Sequence, residues 1–321
     1  MIVMNSKLNL PNIDQLLACD NLLIAGMGGG FDLFCGLPIF FELKRLGKNP
    51  HLANLSFSPL EGKSQGRRLT ENLVGVDANY RGPTHYFPEL HLSRWFATSR
   101  GEDVTVWCFG LVGVVPLTRA YAALVNELNI DGILLIDGGI DAIMRGNEYK
   151  PGTPTEDMVT IASVLPLIDI PVRQIACLGF GSEEDLTHAH ALENIAGLTE
   201  AGGFVGSCAL TPQMPAFRDY AEAVQWVNQQ QPAQTSLRGK AICESVRGTF
   251  GHSDKTLVYG SDIWRSPLLN LYWIFELTKV AERCLLLNAI QNTQTMDDAM
   301  QCVMVQRRLI PVRPLSSIPL T

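Results

Sequence analysis

Short apolar runs alternate with longer segments of helical spacing along most of the chain. The apolar runs predict roughly six to eight strands, placed at residues 21–25, 52–57, 104–108, 133–136, 172–178, 204–209, 241–246 and 256–259. The periodic segments predict helices at residues 31–46, 116–128, 155–167, 183–200, 216–230, 268–288 and 297–308. Strands separated by helices favour right-handed crossovers, so we expect a doubly wound, mostly parallel, Rossmann-like α/β sheet with helices on both faces.

Residues 58–103 interrupt this alternation. The segment is rich in Gly, Pro, Arg and Tyr and is too long for an ordinary loop, so we interpret it as an irregular insertion or a lid. No linker, internal repeat or low-complexity tract divides the sequence. We therefore expect residues 1–321 to form a single α/β domain that carries this insertion.

Composition and charge argue against several classes of function. The net charge is −7, and the 25 Lys and Arg residues are scattered, which argues against a nucleic-acid partner. Apolar runs fall short of the roughly 20 residues of a membrane span, and the first residues lack a signal-peptide pattern, so we expect a cytoplasmic protein with no membrane partner. The eight cysteines include no C-x-x-C pair and predict free thiols. A homo-oligomer is compatible with the sequence, which leaves the oligomeric state open.

A glycine-rich turn, GMGGGFD at residues 26–32, follows the first predicted strand and begins a helix. Glycines let the backbone approach a ligand closely, and a helix start favours an anion such as a phosphate. The turn matches neither the dinucleotide fingerprint nor a Walker loop, and a tight turn needed only for packing is the alternative. Asp32 either caps the helix or acts as an acid/base group. The candidate ligand-binding glycines are Gly26, Gly28, Gly29 and Gly30.

A second candidate loop, Asp137-Gly138-Gly139-Ile140-Asp141, follows the apolar run at residues 133–136. Ligands bind at the carboxyl ends of parallel strands, so we predict that this loop and the glycine-rich turn share one cleft. Asp137 and Asp141 can converge on a magnesium ion, a ribose or a catalytic water. Gly138 and Gly139 leave room for such a ligand. The alternative is a Gly-Gly turn flanked by solvated acids.

Three further polar residues are candidates. Asp157 follows a predicted capping box of Thr153 and Glu156, and it either points to the Asp137 loop or favours the helix dipole. Arg247 follows the strand predicted at residues 241–246 and is either an anion clamp or part of a structural salt bridge. His252 lies in the same glycine-containing segment and is a candidate acid/base group.

Three segments together resemble the family called domain of unknown function 1152. They are GMGGGFDL at residues 26–33, LIDGGIDAIMRGNE at residues 135–148, and the Thr-Pro-Thr-Glu-Asp helix start at residues 153–157. The resemblance extends over most of the chain and implies functional positions at Asp32, Asp137, Gly138, Gly139, Asp141, Glu148 and Asp157. The chain departs from the family pattern by an extra Ile140, by Thr153 in place of Ser, and by Gly-Ser-Glu-Glu at residues 181–184. The resemblance implies the fold and the place of the site, and it implies no activity.

Two functional hypotheses follow from these loops. The first is a hydrolase or transferase that acts on a phosphorylated small molecule, a nucleotide or a sugar phosphate, with an anion held at the glycines and a magnesium ion held by Asp137 and Asp141. The second is a sensor that binds a nucleotide or metabolite without catalysis. A third reading is a scaffold subunit that docks through its aromatic segment at residues 264–275.

Overall fold

Nine short strands form one sheet in the computed structural model, which describes residues 14–60, 66–82, 85–150, 155–183, 186–252, 263–315 and 317–319. In chain order the strands are β1 (Leu22–Gly26), β2 (His51–Leu55), β3 (Arg67–Thr70), β4 (Leu73–Val76), β5 (Val106–Phe109), β6 (Gly132–Asp137), β7 (Val172–Leu178), β8 (Phe204–Ala209) and β9 (Leu271–Glu276). Their order across the sheet is β3-β4-β5-β2-β1-β6-β7-β9-β8.

Helices cover both faces of this sheet. They are α1 (Asp14–Ala18), α2 (Asp32–Cys35), α3 (Leu37–Arg45), α4 (Pro88–Trp95), α5 (Val114–Leu128), α6 (Thr155–Val164), α7 (His188–Glu200), α8 (Pro215–Gln230), α9 (Leu237–Val246), α10 (Leu277–Arg283), α11 (Leu287–Ile290) and α12 (Met296–Leu309). Successive residues of β1 point to opposite faces, so Leu23 packs with the side chains of α5 and α6 while Ile24 packs with those of α3 and α8. Two hydrophobic cores result, which confirms the doubly wound α/β fold.

The central strands β5, β2, β1, β6 and β7 pair in parallel. On one side of these strands β4 pairs antiparallel with β5 and β3, and on the other side β9 pairs antiparallel with β7 and β8. Among the described strands, β4 and β9 therefore run opposite to the other seven. The chain leaves β1 for β2 on one side, and after β5 it crosses to β6 on the other side. The gap between the carboxyl ends of β1 and β6 is therefore the topological switch point, where ligands bind in folds of this type.

The helix predicted at residues 268–288 is wrong, because its first half is strand β9. In this strand Tyr272 and Ile274 face one core and Phe275 faces the other. A strand that is buried on both faces has no polar alternation, so its apolar run is indistinguishable in sequence from a buried helix. α10 follows β9 directly and extends the apolar pattern further along the chain.

The strand predicted at residues 241–246 is also wrong, because these residues belong to α9. Ser236 caps this helix, since its side chain accepts a hydrogen bond from the Gly239 N–H at 3.0 Å. Ala241, Ile242 and Val246 face one core with helical spacing. The strand predicted at residues 256–259 lies outside the described residues.

The segment at residues 58–103 contributes to the sheet. β4 pairs antiparallel with β5, and β3 pairs antiparallel with β4. α4 packs beside α8, with Leu92 and Trp95 in the same core as the residues of α8. An insertion that adds strands and a helix to the fold is consistent with these contacts, and its action as a lid stays a prediction.

Candidate functional site

A polar cleft of about 310 Å³ opens at the carboxyl ends of β1 and β6. Gly26 of β1 is in register with Ile136 of β6, so the chain segments that follow these two residues leave the sheet side by side. The cleft is lined by Gly28, Gly29, Gly30, Phe31, Asp32, Phe34, Cys35, Phe57, Tyr86, Asp137, Gly138, Asp141, Glu156, Asp157, Glu183, Tyr220, Ser236, Arg238 and Gly239. The glycine-rich turn and the Asp137 loop thus face the same cleft, as the parallel topology predicts.

Five carboxylates converge in this cleft as two overlapping triads. One oxygen from each of Asp32, Asp137 and Asp157 lies within 4.8 Å of the others, and we call this set the first triad. The second triad consists of Asp137, Asp141 and Glu183 under the same distance limit. Asp137 belongs to both, and its side chain is 2% exposed. Both sets are arranged as oxygen ligands that could surround a metal ion.

Backbone N–H groups hold three of these carboxylates in place. Asp32 Oδ2 accepts a hydrogen bond from the Gly28 N–H at 2.8 Å, and Asp137 Oδ2 accepts one from the Ala142 N–H at 3.2 Å. Both oxygens of Glu183 lie within 3.1 Å of the Ile140 nitrogen. These bonds orient the acids toward each other, although like charges repel at such short range.

Asp157 differs from these carboxylates. It projects from the first turn of α6 and is 4% exposed, and its Oδ1 atom has no hydrogen-bond partner among the described residues. A buried polar atom without a partner costs about 1–3 kcal/mol. One oxygen of Asp157 lies within 4.8 Å of oxygens of Asp32 and Asp137, so a ligand among the three acids could satisfy the Oδ1 atom.

Glycines make the room that the carboxylates occupy. A Cβ atom at Gly28 would lie 2.5 Å from Asp32 Oδ2 and 2.8 Å from Asp157 Oδ1. A Cβ atom at Gly138 would lie 2.7 Å from Asp32 Oδ1. At Gly139 it would overlap Glu183 Oε1, at a distance of 1.1 Å. Any larger residue at these positions would push the acids apart.

Arg238 is a cation that faces the carboxylates from the start of α9. Its Nη1 atom lies 3.6 Å from Asp32 Oδ1, and its Nη2 atom lies 3.6 Å from Glu183 Oε1. Both distances exceed hydrogen-bond length, so the guanidinium compensates charge without binding either acid tightly. The half-buried side chain also lines the cleft and stays accessible to a ligand.

Burial and mutual repulsion raise the pKa of four of these carboxylates. Burial raises the pKa of Asp32 from 3.8 to about 7, and the Arg238 guanidinium only partly opposes this rise. Burial and the neighbouring carboxylates raise the pKa of Asp137, Asp157 and Glu183 well above their ordinary values. Asp32 therefore exchanges protons near neutral pH, as an acid/base group must.

The glycine-rich turn is held by a buried polar pair and an aromatic ring. Asn54 Nδ2 donates to the Gly30 carbonyl oxygen at 2.9 Å and to Glu89 Oε1 at 2.8 Å. Gly29 and Gly30 have φ values of 89° and 60°, a left-handed conformation that other residues rarely adopt. The Phe57 ring packs against this turn and forms one wall of the cleft. The turn is therefore fixed before any ligand arrives.

Two of the predicted glycines lie behind the cleft. Gly26 ends β1, where a Cβ atom would lie 2.1 Å from Asn54 Oδ1 and 2.6 Å from the Leu33 nitrogen. Gly139 abuts Glu183 and is not among the residues that line the cleft. Both glycines permit close packing and do not face the cleft.

Glu148 is buried away from the cleft lining in a polar network of its own. Its carboxylate accepts hydrogen bonds from the Arg145 N–H at 2.8 Å, from the Gly146 N–H at 2.9 Å and from Asn194 Nδ2 at 2.9 Å. Arg313 Nη2 also lies 3.1 Å from Glu148 Oε1. Burial raises the pKa of Glu148, but these hydrogen bonds outweigh it and the pKa falls below its ordinary value. This arrangement indicates a structural role.

Arg247 and His252 are not brought to the cleft. Arg247 follows the carboxyl end of α9, whereas the cleft is at the amino end of that helix, and its guanidinium lies 5.7 Å from the centre of the Phe217 ring. His252 is exposed and does not line the cleft. The expected strand end at Arg247 does not exist, because the strand predicted at residues 241–246 is a helix.

Three charged residues of the cleft, Glu183, Arg238 and Glu156, are absent from the site that the sequence predicts. Glu183 follows β7, and the parallel pairing of β7 with β6 brings it beside Asp137. The helix predicted to begin at Glu183 begins instead at His188 and is capped by Thr187. Arg238 lies just before residues 241–246, for which the sequence predicts a strand instead of helix α9. The sequence assigns Glu156 to a capping box with Thr153, which lies outside the described residues. For Glu183, the signal was its place just after an apolar strand.

The central and carboxyl-terminal parts of the sequence match a known family model. The chain belongs to the DUF1152 family. The model, described as protein of unknown function, matches residues 96–308. This range includes every cleft carboxylate except Asp32, and it includes Arg238, while the glycine-rich turn precedes it. Searches of curated proteins and of solved structures returned no significant match.

No helix in the described part of the chain combines the length and the apolar character needed to cross a membrane.

Proposed function

We propose that the cleft binds a divalent cation and, through it, a phosphorylated small molecule that the protein hydrolyses or from which it transfers a group. The observation that carries this proposal is the first triad. Asp157 Oδ1 is buried and lacks a hydrogen-bond partner among the described residues, and one Asp157 oxygen lies within 4.8 Å of oxygens of Asp32 and Asp137. A cation between these acids would satisfy this oxygen and remove their repulsion.

The electrostatic cost of the triad supports a cation. Two carboxylates whose oxygens lie 4.8 Å apart repel each other by about 3.5 kcal/mol at an effective dielectric constant of about 20. The triads offer carboxylate oxygen and neither thiolate nor imidazole. Such a donor set suits magnesium, manganese or calcium better than zinc or copper.

The phosphate follows from the cation and from the turn beside it. Magnesium in enzymes is commonly held by one or two carboxylates together with phosphate oxygens of the substrate. A free phosphate would be repelled by the acids, whereas a cation on Asp137 and Asp157 would attract it. Gly28, Gly29 and Gly30 also line the cleft, where a ligand can approach the backbone closely.

The reaction that suits this arrangement begins with a water bound to the cation. Asp137 and Asp157 would hold the cation, which would lower the pKa of the water; the oxygen of this water would attack phosphorus as the bond from phosphorus to the leaving oxygen breaks. Asp32, the third acid of the first triad, takes the proton of the water and delivers it to the leaving oxygen. Arg238 stabilises the negative charge that develops on the phosphoryl group.

Phosphate release tests this proposal directly. Purified protein is incubated with Mg²⁺ or Mn²⁺ and a panel of nucleoside phosphates and sugar phosphates, and inorganic phosphate is measured over time. We expect release that EDTA abolishes and that Asp32→Asn lowers at least a hundredfold, because the variant lacks the proton acceptor. Asp169→Asn, an exposed acid beyond the end of α6, serves as the matched control.

Two outcomes would change the conclusion. Ligands that raise the melting temperature without turnover would indicate the sensor that the sequence also allows. A protein that neither binds cations nor changes any phosphorylated compound would contradict the proposal as a whole.

A further inference from the structure

We propose that the cleft holds two divalent cations rather than one, with Asp137 as the bridging ligand. The first cation is the one proposed above, on Asp137 and Asp157. The second lies in the second triad, between Asp137, Asp141 and Glu183. This inference rests on the proposed function and adds a second metal site to it.

The second triad is built as closely as the first. Its three carboxylates also have oxygens within 4.8 Å of one another. The Glu183 side chain is 9% exposed, and the Ile140 N–H fixes its orientation. Glu183 reaches this position only because residue 139 is glycine, since a Cβ atom there would overlap its carboxylate. The loop after β6 is therefore shaped to admit a carboxylate from the loop after β7.

Asp137 is placed to bridge two ions. It stands at the end of β6 between the two triads, and it is the residue that they share. Asp137 Oδ2 accepts a hydrogen bond from the Ala142 N–H, and because each carboxylate oxygen has two lone pairs, both oxygens can still bind a metal ion. A carboxylate that binds one ion with each oxygen is the usual bridge in sites whose two metals are about 3.5–4 Å apart.

Charge balance favours two cations. The two triads contain five carboxylates, which lose their protons when they bind cations, and among the described residues Arg238 lies within 4 Å of two of them as a compensating cation. One divalent cation and Arg238 together leave two negative charges uncompensated, which would repel an anionic substrate. A second divalent cation brings the set to neutrality, so a phosphate could enter without that penalty.

Two ions would also allow separate roles in the reaction, one at the attacking water and one at the leaving oxygen. In two-metal sites one ion activates the attacking water, and the other stabilises the leaving oxygen of the same phosphoryl group. The cation site at Asp157 lies next to Asp32, the proposed proton acceptor, so the attacking water would bind to the cation at that site. The Glu183 side then binds the leaving oxygen.

Metal stoichiometry tests the proposal independently of turnover. The full-length protein is stripped with EDTA and dialysed against Mn²⁺, and bound manganese is counted by mass spectrometry and examined by electron paramagnetic resonance. We expect two ions per chain and a spectrum of a spin-coupled pair. Glu183→Gln and Asp157→Asn should each retain one uncoupled ion, and Asp137→Asn should lose the coupling and weaken both sites. Glu282→Gln, at an exposed surface ion pair on α10, should retain two coupled ions.

Each alternative outcome is distinct. One ion in the wild type, lost in Asp157→Asn and kept in Glu183→Gln, would overturn the second site and leave the proposed function standing. No bound manganese at all would overturn both. Two ions in a Glu183→Gln variant that circular dichroism shows to be folded would remove Glu183 from the ligand set and overturn the assignment.

Discussion

Asp157→Asn should stabilise the protein in the absence of cations and reduce the stabilisation that cations give. The substitution replaces a buried carboxylate by a neutral amide of the same shape. It removes repulsion from Asp32 and Asp137, whose oxygens lie within 4.8 Å, and each fully ionised pair contributes about 3.5 kcal/mol at an effective dielectric constant of about 20. Because the raised pKa values leave the triad only partly ionised at pH 7.5, we expect a net gain of about 1–3 kcal/mol.

The cation response changes in the opposite direction. A cation present at about a hundred times its dissociation constant stabilises the wild-type protein by about 2.7 kcal/mol. Asp157→Asn removes a charged ligand of that cation, so under the same conditions the variant should be stabilised only by the ion that the second triad retains. The variant therefore begins more stable than the wild type and ends close to it or below it. Substitution of a purely structural acid would not change the order of stability between variant and wild type when cations are added.

Thermal unfolding measures both effects. The wild type, Asp157→Asn and the exposed control Asp169→Asn are melted at pH 7.5 with EDTA and again with saturating Mg²⁺. A stability change of 1 kcal/mol shifts the melting temperature by roughly 2 °C in a chain of this size. A variant that melts below the wild type in EDTA would refute the reasoning, because the Asp157 carboxylate would then be making a stabilising interaction. An unchanged response to Mg²⁺ would separately remove Asp157 from the cation site.

Three other properties of the protein are also testable. The cation-free protein should lose stability as pH rises from about 4 to 7, because the pKa of Asp32 is raised to about 7 in the folded state and its protonated form therefore favours folding. Urea unfolding at several pH values measures this loss, and a stability that rises over this range would contradict the prediction. Gly28→Ala should weaken Mn²⁺ binding at least tenfold in calorimetry without any phosphate, because its Cβ atom would displace Asp157. Glu148→Ala should cost about 3 kcal/mol or more in urea unfolding because it removes the buried acceptor of the Arg145 and Gly146 N–H groups and of the Asn194 amide. Normal cation binding by the folded variant would agree with a structural role.

The amphipathic and apolar patterns were sufficient to locate the site because its two walls follow the innermost strands. β1 and β6 are buried on both faces, so they appear in sequence as unbroken apolar runs, and the residues that follow them must emerge at one edge of the sheet. The sequence alone therefore predicts that Asp137 and the glycine-rich turn lie at the same edge of the sheet.

The rest of the site depends on pairings that sequence does not reveal. Glu183 is distant from Asp137 in the chain, and only the pairing of β7 with β6 makes them neighbours. Arg238 could not be placed while residues 241–246 were assigned to a strand, because a helix start and a strand start point side chains in different directions. Glu148 was grouped with the site because it is close in sequence to Asp141, whereas its hydrogen bonds turn it into another network.

The sequence and the structure give different explanations for the glycines near Asp137. In sequence, Gly28 and Gly138 suggest a backbone that approaches a phosphate. In the structure, the space that their missing side chains leave is already occupied by Asp32 and Asp157 oxygens at 2.5–2.8 Å from the position of a Cβ atom. The glycines are therefore required by the crowding of carboxylates, whether or not a phosphate binds. A cation would relieve this crowding, so under the proposed function the glycines and the acids together form one cation-binding unit, and a phosphate would enter only as a ligand of that unit.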